Sequence, residues 1–458
     1  MASTTDFTKS LLSPFSHGNA SLNSQRGCRL TWPNQHKPRI CRRSLRVNGL
    51  FGGGKKDNTE DGQSKFSNFS SMTSSKRRSL SLPFELVEEI LYKVPVESLV
   101  RFKTVCKQWY ALFNDKRFIY KHLDLSQERF VRLDVDDQSI QVFNPETNAR
   151  LPLPFPDELH IQKLSKTIHC DGFLLSVCTE RGSPLKIKGL AVWNPILSGV
   201  TWIKPSNSCK LFDIYGFGYD NVSRVNYKIL RIYTSKVPEI EIYEFKSKLW
   251  RSVDATTLKC DALWDSLSMN GNMYWLAQKK MDNSEIEFFI QSFDFSTETF
   301  KPISCVPEGT KCHRGYQRGV LLSGLGGDRL TLFHQVRHLK MEVWVTSKLT
   351  DGVISWTKYF NISPDPSISQ STFLGRISPK YFIHKTNKIM LLCEESDRKE
   401  KNFYTNVYKI REGRIEKQVE MTVSYRLCDY RCNNVYVPSL VPVPCLKELG
   451  SRKPKKEV

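Results

Sequence analysis

Two hydrophobic rhythms divide the chain. From Leu82 to Leu123 apolar residues recur at three- and four-residue spacing, the period of a one-faced helix. Beyond Leu123 they alternate with polar residues, the period of a half-buried strand. In the first zone Leu86, Val87, Ile90, Leu91 and Val94 share one helical face. Pro83 suits the first helical position, where its missing N–H costs nothing. Glu85, Glu88 and Glu89 stand where the helix dipole favours negative charge, and Pro95 stops the run. A second helix is predicted from about Val96 to Lys103, with Leu99, Val100 and Phe102 as its apolar content. A third is predicted from about Thr104 to Phe113, with Val105, Trp109 and Leu112 inward. A block of roughly forty residues buries its own apolar face poorly. It therefore caps the following domain or docks on another protein, and the pattern alone leaves both open.

The strand zone repeats. Runs such as Tyr227-Lys228-Ile229-Leu230-Arg231-Ile232-Tyr233 and Met341-Glu342-Val343-Trp344-Val345 are rich in β-branched and aromatic residues and are bounded by turn residues. A strand–turn–strand phrase is led by Phe143, Trp193, Tyr243, Phe293, Trp344 and Tyr408, the first five at intervals of about fifty residues. A strand-only repeat of that length fits the blades of a propeller. One four-stranded sheet cannot bury both faces, whereas radial stacking of several can. The fold class predicted is mainly β: a propeller-like domain of about six blades over residues 130–445, behind a small three-helix block over 79–123. Gly-rich segments such as Tyr215-Gly216-Phe217-Gly218-Tyr219 and Gly271-Asn272-Met273-Tyr274-Trp275 are expected at tight inner turns. Two packed β-sandwiches are the alternative.

Charge changes the picture less than its size suggests. The net charge is +21 over 458 residues, yet residues 1–78 alone hold 14 Lys/Arg against 4 Asp/Glu. A basic tail over residues 446–458 adds to it, and the rest is spread thinly, so no basic groove for nucleic acid is implied. No apolar run is long enough for a membrane helix. The thirteen scattered cysteines, without a C-x-x-C pair, point to a reducing compartment and argue against a disulfide framework. Residues 1–78 read as a Ser-rich, acid-poor leader with the profile of a plastid transit peptide.

Candidate chemistry is sparse. Gly49-x₄-Gly54-Lys55 is followed by Lys56 where a phosphate loop needs a hydroxyl, and no strand precedes it. Cys312-His313, His334 with His338, and Cys428 with Cys432 are the nearest approaches to metal ligands, and they form no zinc pattern. No G-x-S-x-G or H-E-x-x-H motif occurs. No catalytic residue, metal or cofactor is predicted.

The order Leu82-Pro83, Leu86, Ile90-Leu91, Val94-Pro95, Leu99, Arg101, Val105-Cys106-Lys107 and Trp109 resembles an F-box. Asp115-Lys116-Arg117-Phe118 stands where many plant members carry Asp-Pro-x-Phe. His169-Cys170-Asp171-Gly172-Phe173-Leu174-Leu175, Val192-Trp193-Asn194-Pro195 and the Gly-rich segments resemble the plant F-box-associated interaction domain over about residues 160–310, thinning beyond. The F-box resemblance implies docking on a Skp-type adaptor and, through it, a cullin. The adaptor contacts it implies are Leu82, Pro83, Leu86, Ile90, Leu91, Val94, Pro95, Leu99, Val105, Cys106 and Trp109. The second resemblance implies a β domain that holds a protein target for ubiquitination, with no nucleic-acid or membrane partner. Such work belongs to cytoplasm and nucleus and conflicts with a plastid address. Either the leader is unused or the sequence joins two unrelated pieces. The competing readings are a non-degradative scaffold and a propeller enzyme.

Overall fold

The computed structural model describes residues 82–444 apart from 135–138, 154, 160–162, 181–182, 211–212, 235–236, 283–284, 309–319, 337–339, 363–379, 387, 398–401 and 425–430. The leader, the tail, Cys312, His313, His338 and Cys428 lie outside the described residues. Four helices come first: α1 Phe84–Leu91, α2 Val96–Phe102, α3 Lys107–Leu112 and α4 Lys116–Leu125. Pro83 caps α1 with ψ 139° and does not occupy its first turn. The third helix starts later than its apolar spacing predicted, because Cys106 is extended and its sulfur accepts the Trp109 N–H at 3.4 Å. The fourth helix is an addition to the three expected. Asp115 caps it by accepting the Phe118 N–H at 3.1 Å, so the departure from Asp-Pro-x-Phe leaves the helix start intact.

Six four-stranded antiparallel sheets follow. Their innermost strands are Lys163–Cys170, Ile214–Tyr219, Ala262–Met269, Val320–Leu325, Lys380–Ile383 and Arg431–Tyr436. Each inner strand contacts the inner strand of the next sheet, and the last contacts the first. That closed ring makes a six-bladed propeller and rules out the two-sandwich alternative. Phe143, Trp193, Tyr243, Phe293, Trp344 and Tyr408 all stand on the third strand of their blades, which is why one phrase recurs in the sequence.

Closure needs both ends of the domain. The first blade has the order Arg431–Tyr436, Arg129–Asp134, Ser139–Asn144, Ala149–Leu153, so the C-terminal strand completes a sheet begun three hundred residues earlier. This pairing covers the edge that Arg129–Asp134 would otherwise leave open. His169, at the end of the second blade's inner strand, reinforces the seam. Its Nε2 accepts the Gly172 N–H at 3.1 Å and the Val437 N–H at 3.2 Å.

The Gly-rich segment from Tyr215 to Tyr219 is an inner strand, not a turn as expected. A Cβ on Gly218 would lie 2.1 Å from the Gly271 carbonyl oxygen and 2.5 Å from the Phe295 ring. The Tyr219 N–H donates to that same carbonyl at 3.1 Å, so the third and fourth blades meet backbone to backbone. Glycine is needed for close approach here.

Two tests follow from these contacts. Gly218→Ala should lower unfolding stability by about 3 kcal/mol in a denaturant titration, the upper range for overpacking. Burial holds the His169 imidazole down at about 4, against an ordinary 6.5. The unfolded chain therefore takes up the proton first, and stability should fall as pH drops from 6.5 toward 4, by roughly 3 kcal/mol at most. His169→Gln keeps an acceptor that does not titrate. The difference between its stability–pH curve and that of the parent should isolate this slope, and parallel curves would contradict the assignment.

Candidate functional site

The helical block has two apolar sides. On the inner side Leu91, Tyr92, Val96, Leu99, Leu112, Phe113, Phe118, Ile119 and Leu123 are buried. Tyr92 stacks on Phe118 with centroids 4.7 Å apart, and Phe113 packs against Phe118 at 5.4 Å. Trp109 is half-buried, 5.4 Å from Phe102 and 6.1 Å from Phe113. His122 is buried below the block with Nε2 2.9 Å from the Val94 carbonyl, and burial pushes its pKa down, so the neutral ring donates there.

The outer side is open. Leu82, Leu86, Ile90 and Val105 are 56%, 52%, 54% and 60% exposed, and Phe84 and Tyr110 are exposed beside them. Pro83, Pro95 and Cys106 are exposed as well. Large apolar residues grouped this way on a small block are the usual mark of an interaction surface. The single stripe expected on α1 thus splits in two. Leu86 and Ile90, four apart, face solvent, whereas Val87, Leu91 and Val94 pack inward. Leu91 and Leu99 are correspondingly removed from the exposed contact set: their side chains are needed inside the block. Val94 and Trp109 sit half-buried at its margin, while Val105, expected inward, stands on the open side because α3 begins only at Lys107.

Ion pairs hold α1 to α4. Arg117 grips Glu88 through two oxygens at 2.8 and 3.1 Å, and the Tyr92 hydroxyl donates to the same carboxylate. The Arg117 hydrogen bond, then that of Tyr92, holds the Glu88 carboxyl below its ordinary range. Lys121 pairs with Glu89 at 3.0 Å on the surface, where such bridges add little.

The block is seated on the propeller. All six inner strands run toward it, so the turns from first to second strand and from third to fourth strand open on its side. The connections between blades open on the far side. Its α4 meets the turns of the second and third blades, where Tyr120 donates to the Arg224 carbonyl at 3.2 Å and Arg224 pairs with Asp124 at 2.7 Å. Arg129, at the start of the first blade, pairs with Glu97 of α2. The buried apolar residues of the block and of the second to fourth blades form one continuous cluster.

Beside the block, where the inner strands end, lies a cavity of about 790 Å³ lined by Glu128, His169, Asp171, Asn270 and His384 among others. Deeper, Lys380 pairs with Asp265 at 2.9 Å. Burial raises the Glu128 carboxyl above its ordinary range. Among the described residues no group of three His, Cys, Asp or Glu is placed to hold a metal. His334 is buried in the strand Arg329–Val336, with its pKa lowered by that burial, as a core residue would be.

The sequence reading missed the seat itself: α4, Asp171 and Arg224. The helix had a readable signal, Asp115 followed by Phe118, Ile119, His122 and Leu123 at helical spacing. The two turn residues had none, since only the fold brings them to Asp124.

Comparisons with known proteins agree with this geometry. The F-box domain family matches residues 79–121, and the F-box associated beta propeller domain family matches residues 121–443. The second match carries the resemblance well past residue 310, through all six blades. Two F-box proteins of Arabidopsis thaliana are 44% identical over 393 residues (79% of this chain, 98% of the relative) and 46% identical over 391 residues (80% and 99%). A third, F-box/WD-40 repeat-containing protein 1 of the same plant, is 40% identical over 399 residues, covering 82% of this chain and 92% of its own. The matched families start at residue 79 and lend no support to the transit-peptide resemblance of the leader.

The two sides of the block should respond differently to truncation. Leu99→Ala, at a fully buried position, should cost about 2–5 kcal/mol in thermal or chemical denaturation. Ile90→Ala, at an exposed one, should stay within about 0.5 kcal/mol of the parent.

Proposed function

The chain belongs to the plant F-box proteins that carry an F-box-associated β-propeller domain, and on that premise we propose that it is the substrate-recognition subunit of an SCF-type ubiquitin ligase. The observation that carries the reading is the open apolar face of Leu82, Leu86, Ile90 and Val105 on a block whose other side is already packed. An exposed face of this kind is unfavourable in water and is stabilised under a complementary protein surface. A Skp-type adaptor is that protein, and it links the chain to a cullin.

In this reading the chain acts as an adaptor rather than an enzyme, as its F-box relatives suggest. It holds a target close to a ubiquitin-charged enzyme and so raises effective concentration. The target surface is the far face of the propeller, because the helical block occupies the near one. Val237 and Met281, on turns between second and third strands, are exposed apolar residues there. Cytoplasm and nucleus are the compartments of this work.

The test is quantitative. Leu86→Ala combined with Ile90→Ala should weaken binding of a recombinant Skp-type adaptor by about 30-fold or more, at 1–2 kcal/mol for each anchor. Circular dichroism should be unchanged, since both side chains are exposed in the free protein. Calorimetry showing parental affinity would remove the adaptor from this face. Adaptor binding without cullin co-purification would favour a non-degradative assembly.

A further inference from the structure

Arg224 lies in the turn between the strands Ile214–Tyr219 and Tyr227–Tyr233, outside both the open face and the blade cores. It is the meeting point of three parts of the molecule. Its Nη1 reaches Asp124 of α4 at 2.7 Å. Its Nε and Nη2 take both oxygens of Asp171, in the second blade's turn, at 2.9 and 3.0 Å. Its guanidinium lies over the Tyr120 ring of α4 at 4.8 Å, and Tyr120 returns a hydrogen bond to the Arg224 carbonyl.

Asp171 is itself held in place. Its backbone has φ 51°, its carboxylate also accepts from Tyr227 at 2.9 Å, and its carbonyl accepts from Ser439 at 2.8 Å. The following Gly172 has φ 83°, and a Cβ there would strike Ser439 Oγ at 2.3 Å. The turn is thus locked to the C-terminal segment that closes the ring. A planar, two-pronged guanidinium on such an anchor resists rotation, which a point charge does not.

The helix side is equally stiff, because Phe118, Ile119 and Leu123 root α4 in the core of the block. A force applied at Asp124 and Tyr120 therefore turns the whole block. Without the Arg224 side chain the described links between block and propeller are the chain at Ser126 to Glu128, the Arg129–Glu97 pair, the Tyr120 hydroxyl on the residue-224 carbonyl and beside Tyr227, and apolar contact, a set that lacks a two-pronged charged fork against rotation.

We propose that Arg224 is a positioning residue: it fixes the bearing of the helical block's open face relative to the propeller, and hence the line along which a bound target meets the charged enzyme. The second half rests on the function proposed above. Ubiquitin transfer across a gap depends on orientation as well as nearness, so added swivel dilutes the productive geometry without loosening either contact.

The experiment uses the full chain. Dyes attached through non-natural residues at Lys93 on the block and Leu249 on the third blade, both exposed, report the bearing by single-molecule energy transfer. Arg224→Ala should broaden the transfer distribution at least twofold. Arg224→Lys, which keeps charge but not the fork, should fall between it and the parent. In a reconstituted ligase, transfer onto the chain's own lysines should drop at least fivefold while adaptor affinity stays within twofold. A purely structural residue would instead lower the melting temperature and adaptor yield together. Should Arg224→Ala not fold, Asp124→Ala removes only the exposed helix end of the link and should broaden the distribution in the same direction. Parental distributions in the folded variants would overturn the proposal. If the parent chain fails to bind the adaptor, the ligase reading falls while the energy-transfer result still decides the latch.

Discussion

Ring closure is the constraint on which this molecule depends. A four-stranded sheet has two apolar faces and two open edges, and neither is stable in water alone. Six such sheets stacked around an axis cover each other's faces, provided the last is joined to the first. Here the join is made by Arg431–Tyr436 inserting beside Arg129–Asp134. The segment after it then runs outward along the second blade, where Asn194 donates to the carbonyls of Ser439 and Val441 at 3.1 and 3.0 Å.

Closure also determines where the helical block can go. Because the C-terminal strand supplies the first blade's inner strand, the chain must enter that blade at its second strand, from the side where the inner strands end. The helix α4 leads directly into Arg129–Asp134, so the block is delivered to the face of short turns. Asp171 and Arg224 stand on that face, and the same closing segment that seals the ring braces Asp171 through Ser439. Among the described residues, the helical block does not reach the face of the interblade connections.

The block divides its apolar residues between two tasks. Leu91, Leu99 and Phe118 hold it together and seat it, and they are unavailable to a partner. Leu82, Leu86, Ile90 and Val105 lie outside that packed core and are each more than half exposed. Keeping them apolar is unfavourable for the free chain, and such grouping is the usual mark of an interaction surface.

Much of this was legible in the linear chain. Helical spacing marked α1 and α2, and the fifty-residue recurrence of Phe143, Trp193, Tyr243 and Phe293 marked the blades, because both signals are local and repeat with a fixed period. Which side of α1 faces inward was not legible: Leu86 and Leu91 are chemically alike, and only the packing of Phe118 and Tyr92 against one row separates them. The Gly218 strand was misplaced as a turn because its reason is a carbonyl of the next blade, fifty residues away. The Arg224–Asp171–Asp124 link has no sequence signature at all. Periodicity determined the elements and their class; the ring, which joins residues hundreds of positions apart, decided which surfaces stay open and how the two parts are held to each other.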